Sequence, residues 1–235
     1  RRLRAVLDPD WVSRFRRLTT EPPPFDVSVL DPTYSSHART AVRLHPRAGE
    51  VRDPAASKVG GVFLWPDDEP WPTAAGVTVE DDFGGWGPFP GDWPAVPLTP
   101  VLQLNRRDVP SLQFPPGKDL MQVFWCPFMT GTNAPEPSVF WRNSAEVRSP
   151  RRSPPDQSPD AEGSFTPTPS RLYPEVVTDY PAADEVLENE ALQMAVAAWA
   201  KNWPPPGSWY DYWWNRCTGW KVGGYPWVNQ SDCFR

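Results

Sequence analysis

Residues 40–45 alternate, with Thr40, Val42 and Leu44 on one side and Ala41, Arg43 and His45 on the other, which is the period of a half-buried strand. Pro46 stops it. Val101-Leu102-Gln103-Leu104-Asn105 and Met121-Gln122-Val123-Phe124-Trp125-Cys126 are almost continuously apolar and read as central strands. Pro110 and the turn Pro115-Pro116-Gly117 separate them. Residues 138–142 and 175–178 are further short strands, and the apolar run Val62-Phe63-Leu64-Trp65 reads as another. The period changes twice. Behind Asp8 as N-cap and Pro9 at the first helical position, Trp11, Phe15 and Leu18 fall at i, i+4 and i+7 and predict a helix ended by Pro22-Pro23-Pro24. Asp184 caps a second predicted helix reaching about Lys201, with Val186, Leu187, Met194, Ala197 and Ala198 as its buried stripe.

These elements predict an α+β fold of short, mostly antiparallel strands with peripheral helices. Breakers then set its spacing. With 33 Pro and 15 Gly in 235 residues, long connections are expected in place of a helix bundle. The loop 66–97, rich in Pro, Gly, Trp and acids, is expected to lie across the sheet surface. Residues 149–170 are dominated by Pro, Ser, Thr, Arg and Asp with one aromatic, a composition that buries too little to offset ordering. They predict a linker or insert dividing a first unit, 1–148, from a second, 171–235. The hydrophobic fraction of 39% is modest, but 14 Trp, 11 Phe and 6 Tyr supply large buried areas per residue.

One turn occurs twice. Lys58-Val59-Gly60-Gly61 precedes the run 62–65, and Lys221-Val222-Gly223-Gly224 precedes Tyr225-Pro226-Trp227-Val228. The chain has four lysines, at 58, 118, 201 and 221, so two of them occupy the same place in this turn. The pattern predicts two related units. The second copy opens near the end of the sequence, so the second unit is expected to be incomplete. Paired glycines permit positive φ or a close backbone approach, and their amides can form an anion-binding nest. The turn therefore has two readings. Either Lys58, Gly60, Gly61, Lys221, Gly223 and Gly224, with Gln103 and Gln230, line a groove for an anionic group, or each lysine caps its turn and each glycine pair starts a strand. It is not a P-loop, because the Lys precedes the glycines and no Ser or Thr follows.

Other chemistry is sparse. A net charge of -6 disfavours general nucleic-acid binding, which needs a basic surface. No apolar run approaches the roughly 20 residues that span a bilayer. His37 and His45 belong to no triad pattern, so no catalytic residue is assigned. The acids Asp67-Asp68-Glu69 and Glu80-Asp81-Asp82 match no calcium loop, and neither a metal site nor a cofactor is expected. Three cysteines, at 126, 217 and 233, form no paired framework and suit a reducing cytoplasm. Trp86, Trp93, Trp209 and Trp213 could form a platform for a protein partner or for sugars, or seal loops onto a sheet.

Several stretches together resemble the YwqG-like family, a group of bacterial proteins of undetermined function. They are Ser57-Lys58-Val59-Gly60-Gly61 with Trp65-Pro66 and Trp71-Pro72, then Leu102-Gln103-Leu104-Asn105, Leu120-Met121-Gln122-Val123-Phe124, and Lys221-Val222-Gly223-Gly224-Tyr225-Pro226 with Gln230. The resemblance covers about residues 40–128 and 171–230 and implies an α+β fold built from a repeated strand-rich unit, without a known reaction. The insert 149–170 and the helix 184–201 are longer than the family leads one to expect. Functional expectations follow in order: a non-enzymatic cytoplasmic binding or protein-interaction module, for which a toxin is one conceivable partner; an enzyme or binder acting on a small anionic ligand near Lys58 and Lys221; and a carbohydrate binder using the Trp-rich loops.

Overall fold

A computed structural model describes residues 35–74, 78–80, 86–88, 96–128, 137–156, 165–179 and 220–225. The chain forms two compact units. One is contiguous, Pro46–Leu172, and the other combines Arg1–His45 with Tyr173–Arg235.

The contiguous unit is built on a six-stranded sheet of β2 (Arg47–Ala48), β3 (Lys58–Val59), β8 (Thr99–Asn105), β9 (Leu120–Trp125), β10 (Pro137–Arg142) and β11 (Ser170–Arg171). Its order is β10-β9-β8-β3-β11-β2, and every pairing is antiparallel. The two apolar runs at 101–105 and 121–126 are β8 and β9, and they do lie inside the sheet. Gln103 stands opposite Gln122, Leu102 opposite Val123 and Leu104 opposite Met121, with an irregularity between Pro100 and Leu102. Phe63, Trp65, Val96, Leu98, Phe124, Cys126 and Phe128 form a buried cluster, against which Trp71 and Phe140 pack. Its rings meet edge to face, Trp65 with Phe124 at 5.3 Å and with Phe140 at 5.2 Å, a favoured quadrupole arrangement.

Within the other unit, β1 (Arg39–Arg43) lies between β12 (Glu175–Asp179) and β13 (Lys221–Gly223). Arg39 pairs with Asp179 and Arg43 with Glu175 on one side, and Ala41 pairs with Gly223 on the other. Ala41, Val42 and Leu44 are fully buried. His45 has φ 41°, and its Nε2 lies 2.8 Å from Glu175 Oε2.

The expectation of an α+β fold with peripheral helices is corrected: the architecture is mainly β, with no helix of seven or more residues among the described ones. Arg106–Asp108 and Ser144–Glu146 are single 3-10 turns capped by Asn105 and Asn143. Each only rounds the corner after a strand, too short to bury an amphipathic face. The predicted helices near 8–21 and 184–201 lie outside the described residues. Three local readings change as well. Residues 62–65 join no ladder. The loop 66–97 contains two small ladders, β4 (Thr73–Ala74) with β7 (Val96–Pro97) and β5 (Thr78–Glu80) with β6 (Trp86–Pro88). The ends of the Pro/Ser-rich stretch are tied down. Arg151 N donates to Trp65 O and Asp67 N to Ser149 O, while Pro169 O accepts from Gly49 N. Main-chain bonds hold these polar segments where side-chain burial would not.

Candidate functional site

Lys58 and Val59 form a two-residue strand between β8 and β11, with Lys58 opposite Gln103 on one side and Arg171 on the other. After them Gly60 and Gly61 take φ of 57° and 71°, left-handed values that side chains disfavour. Gly60 N donates to Val101 O at 2.9 Å. A Cβ on Gly60 would fall 2.7 Å from the Pro167 carbonyl oxygen, so this glycine is needed for space as well as for φ. The turn thus leaves the sheet abruptly and drives Phe63 and Trp65 into the core.

That exit creates a problem at Leu64, which is buried with no neighbouring strand to satisfy its backbone. Two glutamines replace the strand. Leu64 N donates to Gln103 Oε1 at 2.9 Å, and Leu64 O accepts from Gln122 Nε2 at 3.0 Å. Gln122 Nε2 also donates to Gln103 Oε1 at 2.8 Å. Gln103 Nε2 donates to Pro54 O and Ala56 O, so all four hydrogen-bonding positions of this amide are filled. Both glutamines are 0% exposed.

The polar row continues to β10. Arg142 Nε donates to Gln122 Oε1 at 3.0 Å, and the guanidinium grips Glu69 with two bonds of 2.7 and 2.6 Å. It also stacks over Trp65, 3.8 Å from the ring centroid, so charge, planarity and the aromatic face are all used. On the other flank, Lys58 is 2% exposed, and its Nζ donates to Asp53 O and Val62 O at 2.9 Å each. Burial pushes the ammonium down from 10.5 to about 8, against the raising influence of the Asp53 carboxylate. Ser57 Oγ, next in line, donates to Asp108 Oδ2 at 2.6 Å and accepts from Asn105 N.

The second copy of the turn, in the other unit, repeats the backbone: Gly223 and Gly224 have φ of 77° and 70°. Its lysine does something different. Lys221 Nζ lies 2.6 Å from Asp179 Oδ2, a pair only 9% and 6% exposed, and Tyr225 N donates to the same oxygen at 2.9 Å. A Cβ on Gly224 would strike that carboxylate. Among the described residues the likeness of the two copies is a likeness of the turn.

Of the residues the sequence singled out, the structure brings Lys58, Gly60, Gly61 and Gln103 together in one unit and places Lys221, Gly223 and Gly224 in the other. Gln230, Trp93, Trp209 and Trp213 lie outside the described residues, and Trp86 is described only as backbone in β6. Gln122, Arg142, Glu69 and Asp179 were not candidates, yet they complete the polar clusters. A signal for Gln122 was present, since an amide in the middle of an apolar strand must find partners once buried.

A family model described as a domain of unknown function (DUF1963) matches residues 57–235, more than half of the 235-residue chain. The chain belongs to the DUF1963 family. No curated protein matches it. The DUF1963 match begins at Ser57 and so takes in both glycine turns and the Gln103–Gln122 pair. Among the described residues no helix is long and apolar enough to cross a membrane, and no group of three or more His, Cys, Asp or Glu side chains is placed to hold a metal.

Proposed function

We propose that this DUF1963 chain is a cytoplasmic, non-enzymatic module that binds another protein, in line with its resemblance to the YwqG-like family. The supporting observation is the full internal engagement of the repeated-turn chemistry. Gln103 has every hydrogen-bonding position filled by the chain itself, and the Lys58 and Lys221 ammonium groups point to carbonyls or a carboxylate of their own unit. Groups held in this way set the backbone of a framework; they are not poised to receive a substrate. Affinity purification of the intact chain from its native cells is expected to yield a stoichiometric protein partner. Failure to recover one, together with a small anion that raises the melting temperature, sinks this reading.

A second reading, binding or turnover of a small anionic ligand, has one specific observation behind it. A lysine brought down to about 8 is the kind of perturbed group that active sites use. Inorganic phosphate and simple carboxylates separate the two readings: a saturable thermal shift that Lys58→Met abolishes favours the ligand.

A further inference from the structure

We draw no further inference here: the strongest candidate, the row of cations that Arg47, Arg171 and Lys58 form side by side across β2, β11 and β3, carries nothing, because Lys58 belongs to the site already described, its ammonium held by Asp53 O and Val62 O, and nothing in the structure shows an anion that Arg47 and Arg171 would hold.

Discussion

At Lys58 an ammonium is held by two carbonyl oxygens in a site 2% exposed, and the Asp53 charge only partly opposes the cost of leaving water. The folded value of about 8 lies below the unfolded 10.5, so between these pH values the unfolded chain binds more protons than the folded one. Stability contributed by this group is absent below pH 8, rises with pH across the interval and is complete above 10.5. The rise amounts to about 3 kcal/mol at most. Urea midpoints measured across that interval should show it, and Lys58→Met should flatten the curve. Lys221 fails differently when altered. Its removal breaks an ion pair whose side chains are only 9% and 6% exposed, and Lys221→Met is expected to cost about 3 kcal/mol in urea unfolding. Gly60→Ala combines a left-handed φ with a backbone clash at Pro167 and should cost about 2 kcal/mol or more. The repeated turn was legible in the sequence because glycine pairs declare an unusual φ. The direction of each lysine was not, because Asp53 and Val62 are near Lys58 in sequence whereas Asp179 stands 42 residues before Lys221.

Between the strands, the polar row from Glu69 through Arg142, Gln122 and Gln103 acts as one element. Gln103→Leu orphans Leu64 N and one donor of Gln122 inside the core, so each single Leu substitution, Gln103→Leu or Gln122→Leu, is expected to cost about 2–3 kcal/mol. The double substitution should cost clearly less than the sum, since the bond between the amides is lost only once. A double-mutant cycle by chemical unfolding checks this. At this scale β8, β9, β10, β1 and β12 were readable, since their apolar runs or alternation survive in the fold. Residues 62–65 were not, because an apolar run carries the same pattern whether it joins a ladder or plugs a core. Only the partners at Gln103 and Gln122 decide between the two, and these arrive from 39 and 58 residues away. The short ladders inside 66–97 were hidden for a related reason: two- and three-residue strands carry no measurable period.

Across the whole molecule, the division into units follows contacts that composition does not reveal. The composition of the Pro/Ser-rich stretch predicts a boundary, yet its two ends are bonded within the contiguous unit. Composition reports how much surface a segment can bury, and main-chain hydrogen bonding fixed these ends instead. Because Pro46–Leu172 contains its own sheet and aromatic cluster, an isolated 46–172 fragment is expected to unfold cooperatively in urea with near-ultraviolet aromatic ellipticity retained. A fragment with only far-ultraviolet signal would show that this core needs the other unit.

The three-stranded sheet places a different demand on the cell. β1 is made before both of its partners, β12 and β13, which begin only at Glu175 and Lys221. At ordinary ribosomal speed β1 waits on the order of ten seconds for the first of them, with Ala41, Val42 and Leu44 still lacking the burial they reach in the finished sheet. The contiguous unit can close while the nascent chain is still growing, whereas the sheet around β1 assembles only once translation has passed Gly223. Between those two moments the apolar side chains of β1 stay open to non-native contacts.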